Sequence, residues 1–286
     1  MHMNQEDQTT VGLTTSSSYK SFLESHKPSL KISSYFFVYD HIFKEFVNKE
    51  ITFVEIGVLN GGSLLMWRNF FGPNARIIGI DLNPAAQKSE SDGFEIYIGN
   101  QANEKFWEET LKSIGQIDIL LDDGGHTYKQ QVVTANCVLP FIKNGGLLVT
   151  EDTITSYRSG FGPKRYTFMK YVKNYMDYIN LRSTGLPMDS PEIVWSITVF
   201  GSIVVFHVDR SMASVSAQRM KNKHSELSEI DFRFYDNIFG KFIYINRFKN
   251  LKKYRLYELT LVKFFFKTLT HFPKNRTYKK YFKINV

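Results

Sequence analysis

A single cysteine, Cys137, in 286 residues excludes an intrachain disulfide, and its place in an apolar run fits a reducing compartment. No run approaches the roughly 20 apolar residues that a spanning helix needs, so a soluble or peripheral protein is expected. Residues 1–18 are polar and Ser/Thr-rich; they read as disordered, and no signal peptide is expected. The Gly-x-Gly-x-x-Gly fingerprint is missing after the first apolar strand, which weakens a dinucleotide reading. Acids are nearly missing from the C-terminal stretch. Residues 241–286 hold 13 Lys/Arg against Glu258 alone, a net +12 that leaves −4 of the overall +8 to the preceding 240 residues. What is abundant is apolar residue, 43%, enough for one large core with appendages.

Apolar periodicity divides the chain. Helical patterning over 19–50 forms an N-terminal cap, broken around Pro28. From 51 the pattern alternates: strands at 51–57, 75–81, 94–99, 118–123 and 146–150, with helices opening at Gly61-Gly62-Ser63 and covering 103–114 and 128–143. Strands separated by helices of ten or more residues predict a parallel sheet with right-handed crossovers. A further helix at 167–179 precedes two β-rich runs, 194–200 and 202–208, joined at Gly201. The expected fold is therefore α/β: a doubly wound, Rossmann-like parallel sheet over 51–210, closed by an antiparallel hairpin strand. It carries N-terminal helices and a C-terminal extension, 211–286, that is basic and aromatic from 241.

Chemistry concentrates at strand ends, where open α/β sheets bind ligands. Strand 51–57 ends in Glu55-Ile56-Gly57 and turns through Asn60-Gly61-Gly62-Ser63, with Ser63 placed like a helix cap. An acid beside this turn repels a pyrophosphate and suits a ligand with an ammonium group, such as S-adenosylmethionine. Asp81 ends the second strand, where a carboxylate can accept from ribose hydroxyls; the alternative is that it caps the turn before Pro84. Gly99-Asn100-Gln101 ends the third with amides suited to an adenine edge. The fourth ends in Asp122-Asp123-Gly124-Gly125-His126 and the fifth in Glu151-Asp152. Neighbouring strands lie about 4.8 Å apart, so these acids converge. Asp123, Glu151 and Asp152 offer three hard oxygens, a set for Mg²⁺ or Mn²⁺, with His126 as general base. The competing account has Asp122 and Asp123 shaping a turn while His126 caps the next helix.

Taken together, Glu55 to Ser63, Met66-Trp67, Gly79-Ile80-Asp81, Gly99-Asn100-Gln101, Asp122 to His126 and Glu151-Asp152 resemble one family. The chain is similar, from about 31 to 208, to class I S-adenosylmethionine-dependent methyltransferases of the macrocin and mycinamicin sugar O-methyltransferase type, with cephalosporin-hydroxylase-like relatives. The resemblance implies that Asp123, Glu151 and Asp152 bind Mg²⁺ and that His126 deprotonates a sugar hydroxyl. It implies a cofactor site of Glu55, Gly57, Asp81 and Gln101, which we extend to Asn60, Gly61, Ser63, Asn100 and Asp122. Asn100 stands where the family often has Asp, and Gly125 where Ser is common.

Tyr157 and Arg158, in a Gly- and aromatic-rich segment over 153–165, are the expected substrate contacts of a lid. Tyr39 is a third candidate, with a core ring as its competing role. The acceptor expected first is a surface polysaccharide, capsule or O-antigen; the alternative is a glycosylated natural product. A nicotinamide-dependent oxidoreductase and a non-catalytic glycan-assembly module are lesser readings. The basic tail, 241–286, can pack on the body or a partner subunit, lie on an anionic membrane, or bind a polyanion; no nucleic-acid motif is present. A homo-oligomer in the cytoplasm, or at the inner face of its membrane, is expected.

Overall fold

The computed structural model describes residues 12–182 and 192–216, with 218, 220 and 222. The described elements lie within one compact unit ending at Gln218. Residues 241–286, and with them every expectation for the basic tail, lie outside the described residues. No helix among the described residues is long and apolar enough to cross a membrane.

Seven strands form one sheet: β1 Thr52–Ile56, β2 Arg76–Asp81, β3 Glu95–Ile98, β4 Ile117–Asp122, β5 Ile142–Thr150, β6 Val194–Val199 and β7 Val204–Val208. Their order is β3-β2-β1-β4-β5-β7-β6, parallel from β3 through β5. The closing hairpin joins through its second strand: β7 pairs antiparallel with β5, and β6 forms the edge. Helices α1 Ser17–Leu23, α2 Ser33–Phe43 and α3 Gly62–Phe71 cover one face; α4 Glu104–Ile114, α5 Tyr128–Val138 and α6 Phe168–Leu181 cover the other. A last short helix, α7 Arg210–Ala213, follows β7.

Local chemistry sets the boundaries. Asn103, Thr127 and Thr167 accept backbone N–H groups at the starts of α4, α5 and α6, and Thr127 with Gln130 forms a capping box. The helix expected over 128–143 stops at Val138 because Pro140 lacks the N–H and clashes with the preceding turn. A single tight turn follows, and β5 starts at Ile142, earlier than the expected 146. Ser63 is not a cap. Gly61, at φ 81°, ends the turn before α3, and the Ser63 hydroxyl points elsewhere.

Alternation along β1 places Val54 and Ile56 in the α4–α6 core and Phe53 in the α1–α3 core. Glu55 shares the Phe53 face. It is therefore buried under α3, beside Trp67, whose ring packs 5.0 Å from Tyr39 and 5.1 Å from Phe53 between centroids. A fully buried Trp of this kind carries about 3–5 kcal/mol against truncation to Ala.

Candidate active site

The strand order reverses at β1, which lies between β2 and β4. There a cavity of about 550 Å³ is lined by residues from the ends of β1 to β5. The β2–β3 side contributes Asp81, Asn100 and Gln101, and the β4–β5 side Asp123, His126, Glu151 and Asp152. Loops after β1 and β4 press together. Gly57 has φ 95°, and a Cβ there would sit 2.2 Å from the Asp123 carbonyl oxygen, so only glycine fits.

Among the described residues, one set of potential metal donors converges: Asp123, His126 and Asp152 each offer an atom, all within 4.8 Å of one another. His126 Nε2 lies 3.4 Å from Asp152 Oδ2 and 3.9 Å from Asp123 Oδ1. His126 and Asp152 both adopt left-handed backbone conformations, φ 56° and 50°, which cost of order 1 kcal/mol or more each in a non-glycine residue. Each is held in place from outside. Thr155 Oγ1 donates to the His126 carbonyl at 3.1 Å, and Tyr35 Oη donates to Asp152 Oδ1 at 2.7 Å. His126 does not cap α5; Thr127 does, which frees the imidazole, whose Nδ1 is buried without a partner.

Glu151, expected beside Asp123 and Asp152, lies behind this set. It is 1% exposed, Tyr39 Oη donates to its Oε1, and its Oε2 is 3.5 Å from Lys31 Nζ. Burial pushes its carboxyl up to about 8, with Lys31 opposing. Lys31 itself is enclosed, its side chain 2% exposed, with Nζ 2.6 Å from Asp123 Oδ2 and 3.4 Å from Glu55 Oε1. Burial acts to lower the Lys31 pKa, but Glu151, Tyr39, Asp123 and Glu55 outweigh it and hold the ammonium above its ordinary value. Lys31 and Tyr35 are the site residues that sequence reasoning missed. The available signal was their spacing: Lys31, Tyr35 and Tyr39 recur every four residues across the start of α2.

The expected cofactor residues divide into two groups. Asp81 lines the cavity, its Oδ2 accepting from Val58 N and Leu59 N at 2.8 and 3.0 Å and its Oδ1 from Asn83 N at 2.8 Å. Asn100 and Gln101 also line it, but Gln101 is braced: Nε2 donates to Asp122 Oδ1 at 2.8 Å, and Oε1 accepts from Gly125 N at 3.2 Å. Asp122 holds the turn by accepting from Gly124 N, and burial pushes its carboxyl up to about 6. Glu55 does not line the cavity. It accepts from Ser63 Oγ at 2.6 Å and Trp67 Nε1 at 3.0 Å, and Lys31 supplies the ammonium expected from a ligand. Asn60 lines a smaller neighbouring recess of about 250 Å³ with Lys27 and Lys88, and Gly61 is confined to the turn before α3.

Of the expected substrate contacts, Tyr39 is fully buried and reaches the site through its hydroxyl on Glu151 and its ring, 5.9 Å from Lys31 Nζ. Tyr157 is 74% exposed, and neither it nor Arg158 lines the cavity. The segment that carries them is anchored at its base. Thr153, Thr155 and Ser156 are buried, and Tyr128 Oη donates to the carbonyls of Thr155 and Arg158.

Residues 54–153 match a family described as a methyltransferase domain. Demethylmacrocin O-methyltransferase of Streptomyces fradiae is 32% identical over 165 residues, 53% of this chain and 41% of that protein. The 8-demethyl-8-(2-methoxy-alpha-L-rhamnosyl)-tetracenomycin-C 3'-O-methyltransferase of Streptomyces olivaceus is 33% identical over 195 residues, 64% and 48% of the two chains. The matched region thus spans less than half the length of these curated relatives. Among solved structures, the MycE methyltransferase from the mycinamycin biosynthetic pathway, in complex with Mg and SAH, superposes with a TM-score of 0.60 at 26% identity. It covers 70% of this chain and 55% of that one. Residues 54–153 thus match the methyltransferase-domain family, the fold is that of the MycE methyltransferase, and the chain is similar in sequence to the demethylmacrocin and tetracenomycin-C O-methyltransferases.

Proposed function

We propose that the chain transfers a methyl group from S-adenosylmethionine to a sugar hydroxyl of a glycosylated small molecule. The observation that carries this reading is the convergence of Asp123, His126 and Asp152 at the switch point, in one cavity with Asp81 and Asn100. The named relatives act on glycosylated small molecules, and this supports such an acceptor over the surface polysaccharide expected first.

Asp81 and Asn100 are the residues for the nucleoside part of the cofactor, a carboxylate for ribose hydroxyls and an amide for a base edge. The carboxylates of Asp123 and Asp152, with Glu151 adjacent, fit a hard divalent ion such as Mg²⁺, because their donors are oxygens within ligating reach. When bound, such an ion would orient the acceptor hydroxyl and favour its loss of a proton, and the cofactor would carry the methyl. His126 takes that proton on Nε2. The Asp152 and Asp123 carboxylates lie 3.4 and 3.9 Å from that nitrogen. An all-oxygen ligand set leaves the imidazole free for this work.

Methyl transfer from labelled S-adenosylmethionine to a panel of glycosylated macrolides, aromatic polyketide glycosides and polysaccharides tests the reading. Label on a small-molecule glycoside is expected; label on polysaccharide alone, or on nothing while NAD binds, contradicts it.

A further inference from the structure

We infer that Lys31 is a resident counter-cation of this site, which a divalent ion must displace from Asp123 and Glu151, so that Lys31 sets how tightly the ion binds. The inference rests on the reading of the acids as a cation site.

The geometry is specific. One buried ammonium sits 2.6, 3.4 and 3.5 Å from oxygens of Asp123, Glu55 and Glu151, which belong to the ends of three different strands. Three carboxylates that converge on one point repel one another, and a cation among them offsets that repulsion. Lys31 supplies that charge from within the chain. It also divides the acids. Asp123 turns Oδ1 toward His126 and Oδ2 toward Lys31, while Glu151 has one oxygen on Tyr39 and the other facing Lys31. While Lys31 is in place, the donors that converge are Asp123, His126 and Asp152. Its withdrawal releases Asp123 Oδ2 and Glu151 Oε2, and only then is the all-oxygen set of Asp123, Glu151 and Asp152 open to an ion.

The chain around Lys31 suits such a withdrawal. Residues 28–32 are neither helix nor strand, and the neighbours Leu30 and Ile32 are 88% and 48% exposed at the cavity wall. Pro28, Leu30 and Ile32 are all exposed, and the backbone of the stretch touches the fold at its two ends, Pro28 against Gly62 and Ile32 at the start of α2. An ammonium and a divalent ion sharing Asp123 also repel each other, so even partial retention of Lys31 weakens ion binding.

The test is Mn²⁺ affinity, by electron paramagnetic resonance or calorimetry, of the full chain and Lys31→Met without cofactor or acceptor. Met has similar length and no charge. The variant is expected to bind Mn²⁺ at least tenfold more tightly; equal or weaker binding, or no binding by either protein, overturns the inference. Should Lys31→Met fail to fold, amine labelling of the wild-type chain read by peptide mass spectrometry decides. Added Mg²⁺ is expected to raise modification at Lys31, and unchanged or reduced modification overturns the inference. Tighter Mn²⁺ binding without methyl transfer to any acceptor would count against the methyltransferase reading and leave Lys31 in its role.

Discussion

Tyr35 Oη donates a 2.7 Å hydrogen bond to Asp152 Oδ1, and the other oxygen of Asp152 lies 3.4 Å from His126 Nε2. A residue from an N-terminal helix thus fixes the carboxylate face shown to the imidazole. Hydrogen bonds to charged groups contribute about 1.5–3 kcal/mol. Tyr35→Phe should therefore lower methyl transfer by about tenfold or more, with S-adenosylhomocysteine affinity unchanged by calorimetry. Full turnover in this variant would show that Asp152 needs no such support.

One helical turn later, Tyr39 makes the equivalent contact with Glu151 in a fully buried setting. Tyr39→Phe keeps the ring packing against Trp67 and Phe43 and removes only the donor. A buried acceptor left short of a partner costs about 1–3 kcal/mol, which denaturant unfolding would register as a lower midpoint at unchanged slope. An unchanged midpoint would contradict the contact.

Asp122 gives a pH signature. Its carboxyl is raised by burial from 3.8 to about 6, so the folded chain binds the proton more tightly than the unfolded one. Its contribution to stability is fully present below about pH 4 and is lost as pH rises through about 6. Asp122→Asn cannot titrate. The stability of the variant relative to wild type should therefore increase between pH 4 and 7, by up to about 3 kcal/mol. A difference independent of pH, measured by urea unfolding with chelator present, would remove the assignment.

Gly57→Ala should be among the more damaging single changes. The φ of 95° strains any side chain, and a Cβ 2.2 Å from the Asp123 carbonyl forces the β1 and β4 loops apart. A loss of at least about 2 kcal/mol of stability is expected, with S-adenosylhomocysteine affinity falling in whatever folded protein remains. Wild-type affinity in the variant would mean that the two loops are less tightly coupled than their geometry implies.

The order of strands and helices was legible because each parallel strand is a short apolar run and each acid cluster marks where the run ends. The placement of Asp81, Asn100, Asp123, His126 and Asp152 around one cavity follows from that order, since strand ends at a switch point must converge. What remained hidden were long-range pairings between the cap and the sheet. Nothing local marks Lys31 as buried, because a lysine before a helix is ordinarily solvated. Glu55 was read as facing a ligand, but strand alternation turns it under α3, where Ser63 and Trp67 already serve it. Local polar pattern likewise made Ser63 look like a cap, although its hydroxyl is spent on that buried acid. Tyr157 and Arg158 stand outside the cavity for a related reason: the turn before them is tied down by Tyr128 and presents Tyr157 to solvent.

The proposed chemistry divides the cavity between His126 and the Asp81 and Asn100 side proposed for the cofactor. Turnover and S-adenosylhomocysteine binding should be measured together for wild type and His126→Ala, on whichever glycoside accepts label. The account predicts that cofactor affinity is retained while methyl transfer falls by about 10²–10⁴-fold, the usual contribution of a positioned general base. Methyl transfer at the wild-type rate in His126→Ala would contradict it.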